Sequence, residues 1–414
     1  EVWGVVADGR EIAVIGSTMG THFIDVTEPA NLQELESAFV PGAAQGVAII
    51  HRDFHDYAGY LYAVSDEGAS TLQVIDLSGL PDTTEVVYDS DQILRTAHNI
   101  FIDSATARMY VCGTIANGIG YAPLRIVDLS APAQPQLLKT VNQINGVNLP
   151  YVHDAFVRND TAYLNCGFAG MYVVDFGDVD NPVLLGTLTD YPQNGYNHSG
   201  WLHPEEPVYY LGDESHGFDL KTVDVTNLMD LFVETTFDAG STHPSSIPHN
   251  LLVRGDRLYV SYYYDGLQVY DISDPLYPQR IGYYSTSSIS HKNSYEGAWG
   301  VYPYLPSGNI LVSDMQEGLF VIEDGGMVVA AEELSTSKYP LRVFPNPATD
   351  YLRIEGLQER AELWLADGTG RVWGRWDVRE KVGSLGISLP GHLPKGIYFL
   401  HVKSQEGVCT KKVM

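Results

Sequence analysis

Hydrophobic residues along most of this chain come in short runs separated by turn residues. The clearest stretch is Pro248 to Tyr284, PHNLLVRGDRLYVSYYYDGLQVYDISDPLYPQRIGYY. Asn250 to Val253 is short and apolar, which predicts a strand. Arg254-Gly255-Asp256-Arg257 predicts a tight turn, because Gly accepts positive φ and Asp bonds its own backbone. Leu258 to Ser261 predicts a second strand, so the pair is a hairpin. Asp265-Gly266 turns the chain again, and Leu267 to Tyr270 predicts a third strand with both faces covered. Asp271-Ile272-Ser273-Asp274-Pro275 stops it, since Pro cannot donate to a ladder. Gln279 to Tyr284 completes a four-stranded antiparallel meander.

The third strand and its stop recur. They end on Asp25, Asp76, Asp128, Asp175, Asp224 and Asp271, with a degenerate seventh copy at Glu323. The intervals are 51, 52, 47, 49, 47 and 52 residues. Seven sheet units at such a period predict an all-β fold, a seven-bladed β-propeller. One sheet of this kind cannot cover both faces, whereas radial stacking against two neighbours does. The repeated Asp reads as a turn former at a strand end.

The pattern changes after Glu323. MVVAAEE is a candidate fourth strand for unit seven; the alternative is a closing strand upstream of this numbering. Residues 334–338 read as a linker, which leaves 1–333 for the propeller. Residues 339–414 alternate apolar and polar between Gly turns, which predicts a small β-sandwich.

Composition adds a division. The net charge is −28 over 414 residues, but it splits into −32 for 1–337 and +4 for 338–414. So acidic a module repels nucleic acid and anionic lipid surfaces and favours cations. No apolar run is long enough for a transmembrane span. The start at Glu1, directly before the strand VWGVVA, reads as a processed one. Three cysteines make no disulfide framework. Cys112 and Cys166 hold matching places in consecutive units and read as buried small residues, with an inter-blade bridge as the alternative. The chain has no GxSxG, HExxH, phosphate-binding Gly loop or CxxC.

The C-terminal module resembles the type IX secretion system type A sorting domain of Bacteroidota. The motif residues are Phe344-Pro345-Asn346-Pro347-Ala348-Thr349-Asp350, Asp367-Gly368-Thr369-Gly370, Leu393-Pro394-Lys395-Gly396-Ile397-Tyr398 and Lys411-Lys412-Val413. The resemblance implies export via the periplasm to the outer cell surface. It also implies the type IX translocon and its shuttle proteins as partners of 339–414. The repeats resemble the LVIVD-repeat and choice-of-anchor B family. They do so through the strand stops and through His98-Asn99-Ile100, His153-Asp154-Ala155, His198-Ser199-Gly200-Trp201, Asp213-Glu214, His249-Asn250-Leu251 and Ala298-Trp299-Gly300. The chain departs in unit two, where the family often reads Trp-Arg-Asp and this chain reads Ala44-Gln45-Gly46-Val47.

The first strand of each unit lies innermost. Its starts read Trp3, Gln45, His98, His153, His198, His249 and Trp299. The second strands end at the same mouth, which adds Asp66, Asp213, Glu214 and Asp314. Imidazoles and carboxylates converging there can hold a divalent transition metal or relay protons. Alternatively, a His at a strand start ties neighbouring blades by a hydrogen bond. The oxygen-rich loop Asp175 to Asn181 is a candidate for Ca²⁺, without EF-hand spacing; an Asx-rich turn is the alternative. Neither metal is required by the sequence.

Three functions follow as expectations. The first is a secreted surface propeller used for binding or assembly, with a surface partner or glycan unnamed. It needs an exposed apolar or aromatic patch, expected on loops 114–123 and 262–266. The second is a metal-dependent hydrolase or lactonase-like propeller working at the His mouth. The third is a structural surface-layer or adhesin subunit.

Overall fold

The computed structural model divides into two compact units, Glu1–Val328 and Val329–Met414. It describes residues 1–324 except 119 and 242, and between 342 and 413 chiefly the strands. The predicted linker 334–338 and the strand MVVAAEE lie outside the described residues.

Among the described residues, the first unit forms seven antiparallel sheets, each in simple sequential strand order, plus a two-residue-strand hairpin. The sixth sheet follows the predicted meander: Leu251–Arg254, Arg257–Ser261, Leu267–Asp271 and Gln279–Tyr284. Its first turn holds Gly255 at a φ of 57°. The inner strands are Val2–Ala7, Arg52–Tyr57, Asn99–Asp103, Asp154–Arg158, Asn197–Leu202, Leu251–Arg254 and Ala298–Tyr302. Each neighbours the next in a cycle, and the last neighbours the first. This is a β-propeller.

Burial explains the cycle. A separate apolar cluster fills each gap between consecutive sheets. Tyr110 and Leu124 pack against Val157 and Leu164, for example, and Leu252 and Val269 against Val301 and Val312. The cycle closes in the same way: Val2 and Ala13 of the first sheet pack against Tyr302 and Leu311 of the seventh. The Glu11 carboxylate also accepts from Ser307 N at 2.5 Å and Ser307 Oγ at 2.6 Å. Removing apolar surface from water at about 25 cal/mol per Å² makes these gaps the main source of stability.

The repeated Asp residues do what a turn former does. Oδ1 of Asp25, Asp76, Asp128, Asp175, Asp224 and Asp271 each accepts from the backbone N–H two residues on, at 2.7–3.0 Å. Asp178 likewise accepts from Asp180 N at 3.0 Å and Asn181 Nδ2 at 2.9 Å. Asx turns thus run through 175–181, and Asp180 Oδ1 accepts from Lys139 Nζ at 3.0 Å.

Two features were not anticipated. In five sheets the register of the third and fourth strands slips by one just before that Asp, for instance between Val173 and Val174. Such a bulge adds local twist, and outer strands of a stacked sheet need it. The segment expected as a loop at 114–123 instead extends the hairpin, with strands Arg108–Ala116 and Gly120–Asp128 paired out to Ala116 and Gly120. Cys112 and Cys166 are both free and buried, so no bridge joins those blades.

The second unit pairs Arg342–Phe344, Tyr351–Glu355 and Ser384–Ser388 in one sheet. Val372–Val378, Ala361–Asp367, Tyr398–Ser404 and Gly407–Val413 form another. Leu352 and Ile354 of the first meet Leu363, Leu365, Leu400 and Val402 of the second, which makes a β-sandwich. Of the motif residues, Tyr398 is buried in that core, and Lys411 and Lys412 lie on the last strand. Pro345, Asn346, Pro347, Asp350 and Gly396 lie outside the described residues.

Candidate functional site at the channel mouth

The inner strands bring six rings into a closed loop around the channel. Centroid distances run 5.8 Å for His51–His98, 4.1 Å for His98–His153 and 4.1 Å for His153–His198. They continue at 4.5 Å for His198–His249, 4.2 Å for His249–Trp299 and 5.2 Å for Trp299–His51. Glu1 lines the same constriction, which encloses about 20 Å³. That is room for little more than one water or ion.

The fifth histidine corrects the expected position Gln45. Sheet two's inner strand is Arg52–Tyr57, further along the chain than Gln45, and residues 33–41 instead add short edge pieces to sheet one. Polar residues in RDFHDY hid the strand. The spacing His-x-x-Phe was the available signal: it recurs at 51–54, 98–101 and 153–156. That strand opens on Arg52-Asp53. Arg52 clamps the carbonyls of Ser17 at 2.7 Å and Ala44 at 2.6 Å, and Asp53 accepts from Ile100 N at 2.7 Å.

Nδ1 orients each of four imidazoles. His153 Nδ1–H donates to the His198 carbonyl at 3.1 Å, and His249 Nδ1–H donates to the Trp299 carbonyl. His98 Nδ1 meets Asp66 Oδ2 at 2.8 Å, and His51 Nδ1 meets Glu67 Oε1. A carbonyl only accepts, so the Nε2 of neutral His153 and His249 carries a lone pair. The blade tie and an available ligand nitrogen thus coexist in one side chain. Burial, the largest influence on each, pushes His153, His198 and His249 well below the ordinary imidazole value. They are neutral near pH 7. Burial also raises Asp66, but bonding and charge from His98 and His51 outweigh it and leave Asp66 below its usual range.

Glu214 stands over this loop. Its Oε2 lies 3.8 Å from His198 Nε2, and its Oε1 accepts from the Tyr263 hydroxyl. Burial lifts it to about 7. The other two carboxylates expected here are engaged by other partners. Asp213 is fully buried beside Lys221 Nζ at 2.7 Å and takes Tyr191 Oη at 3.0 Å. It points into its own sheet because adjacent strand residues face opposite ways. Asp314 accepts from Gln316 N at 2.9 Å and Thr286 Oγ1 at 2.8 Å. It closes a turn.

The constriction separates two spaces. Beyond it, a cavity of about 60 Å³ is lined by Asp53, Asp154, Asn99, Ser199, Asn250 and Trp201, among others. Burial raises Asp154 to about 7 there. In front of it, a funnel of about 470 Å³ is lined by His153, Phe168, Tyr196, Glu214, His216 and Tyr295. Phe168 is 81% exposed, Tyr295 49% and Tyr151 36%. The aromatic rim expected at 262–266 is not there, since Tyr262, Tyr263 and Tyr264 are buried. At 114–123 Ile115 and Tyr121 are exposed, and further exposed rings sit on the loops at 168 and 295.

Residues 342–414 match the family described as Secretion system C-terminal sorting domain, and 119–143 and 248–286 match the LVIVD repeat. The propeller carries LVIVD repeats, and the chain ends in a secretion-system sorting domain. That tail marks the propeller for export through the type IX secretion system, to the cell surface or the extracellular space. Its machinery is the tail's partner. Among the described residues no helix is long and apolar enough to cross a membrane.

No match was found among curated proteins. Among solved structures, the chain is similar to PorZ, an essential bacterial surface component of the type IX secretion system of Porphyromonas gingivalis. Identity is 11% and the TM-score 0.51, over 100% of this chain but only 59% of that one. The periplasmic gluconolactonase PpgL of Pseudomonas aeruginosa aligns at 10% identity and a TM-score of 0.56, over 91% and 97% of the two chains. A putative 6-phosphogluconolactonase from Bacteroides fragilis aligns at 11% and 0.51, over 90% and 95%. At such identities these likenesses speak for the propeller fold alone.

Proposed function

We propose that the exported LVIVD-repeat propeller is a binding module that seats a glycan in the funnel in front of the histidine loop. One observation carries this reading: Phe168, 81% exposed, packs edge-on against Tyr196 at 5.1 Å beside the funnel. A large ring left in water at a concave site favours a partner that covers it. Tyr295 and Tyr151 add further exposed ring faces, and sugar rings stack their C–H faces on such surfaces. Glu214, Ser215 and His216 line the same space with hydrogen-bonding groups. The acidic surface of the propeller disfavours anionic partners.

The test is a glycan array with the tag-free full chain, followed by calorimetry on the best ligand. Phe168→Ala and Tyr295→Ala are expected to weaken binding at least tenfold each while leaving the melting temperature in place. Binding that ignores both variants, or no saturable binding to any glycan, would overturn the reading. Lateral self-association in ultracentrifugation, untouched by the rim variants, would favour a structural surface subunit.

A further inference from the structure

We propose that His198, His249 and Glu214 form a site for one divalent transition-metal ion of the zinc, cobalt or nickel kind. The site lies at the base of the funnel and does not rest on the glycan reading.

The ligand atoms of these three residues lie within 4.8 Å of one another. Zinc binds nitrogen and carboxylate oxygen at about 2.0–2.2 Å, which sets ligand atoms about 3.5 Å apart. The trio must therefore close by roughly an ångström, which modest side-chain rotation supplies. Two imidazoles and one carboxylate are the donors that borderline metals prefer, whereas calcium and magnesium seek oxygen shells the site lacks.

The supporting contacts are those of a built site. His249 holds Nδ1 on the Trp299 carbonyl, which leaves Nε2 to bind. Tyr263 engages one oxygen of Glu214, and the other faces His198 Nε2 at 3.8 Å. Outer contacts of this kind orient metal ligands and tune their basicity. Both histidines are buried, at 4% and 2% exposure, and His198 Nε2 faces the Glu214 carboxylate. A loop of histidines that only tied blades together would need no carboxylate opposite the free nitrogen. Three protein ligands leave a fourth position, and Glu214 also lines the funnel, so that position is open to an incoming donor atom.

The experiment uses the tag-free full chain, stripped with a chelator and titrated with Co²⁺ and Zn²⁺. One Co²⁺ per chain is expected, with the visible absorption of a four- or five-coordinate ion. Zn²⁺ competition should show at least tenfold weaker binding in Glu214→Gln and loss of binding in His249→Asn. Tyr263→Phe should weaken it about tenfold. His243→Asn, which alters a surface histidine pair, should leave affinity unchanged. Circular dichroism checks folding, and if His249→Asn is unfolded, Glu214→Gln decides alone. No stoichiometric binding at micromolar metal, or binding that Glu214→Gln leaves intact, would overturn the proposal.

Discussion

His153 Nδ1–H donates to the His198 carbonyl across the gap between two sheets, 45 residues apart, at 3.1 Å. The rings of the same two residues lie 4.1 Å apart. One side chain thus joins two neighbouring sheets at the constriction of the channel. A buried carbonyl left without its donor costs about 1–3 kcal/mol. His153→Ala is expected to lose that much in urea unfolding, and His153→Asn, which keeps a donor, to lose less.

Asp154 gives a pH signature. Burial places its folded pKa at about 7, against an ordinary value of 3.8. The folded state therefore holds the proton more tightly than the unfolded chain does. That contribution is fully present below pH ~3.8 and is lost as pH rises through about 7. It amounts to a few kcal/mol at most, at about 1.4 kcal/mol per pH unit. Urea unfolding of the wild type should weaken from pH 5 to 8 more than that of Asp154→Asn. Parallel curves for the two would contradict the assignment.

Asp213 and Lys221 form a fully buried ion pair. Desolvation is the largest influence on both, raising Asp213 and lowering Lys221, so burial opposes each charge. Removing one partner strands the other. Lys221→Met alone should cost about 3–5 kcal/mol, and Asp213→Asn with Lys221→Met should recover most of it. A double-mutant cycle in urea measures the coupling; additive losses would refute it.

Asp271 tests the repeated turn. Its Oδ1 accepts from Ser273 N at 2.8 Å. Asp271→Ala should cost about 0.5–1.5 kcal/mol, and Asp271→Asn, which keeps the acceptor, clearly less. Equal losses in thermal melts would show that the charge, not the turn bond, matters.

Gly186 tests sheet stacking. A Cβ there would sit 1.6 Å from the Leu228 carbonyl oxygen of the next sheet. Backbone cannot swing aside as a side chain can, so Gly186→Ala should cost at least about 1–3 kcal/mol. An unchanged melting temperature would mean the two sheets part easily.

What the sequence determined by itself is local. A strand, its stopping Asp and its Gly turn are specified within a few residues, so Leu267 to Pro275 could be read directly, as could its copies. The sorting tail is legible for the same reason, as an ordered run of turn motifs. The tertiary structure decided what depends on residues far apart. It decided that His51 rather than Gln45 completes the loop of rings, because the short edge strands at 33–41 shift where sheet two begins. It turned Asp213 toward Lys221 and Glu214 toward His198, although the two acids are adjacent. A shift of one residue along a strand reverses the face a side chain presents. Only the packing of seven sheets around one axis settles which face is the channel.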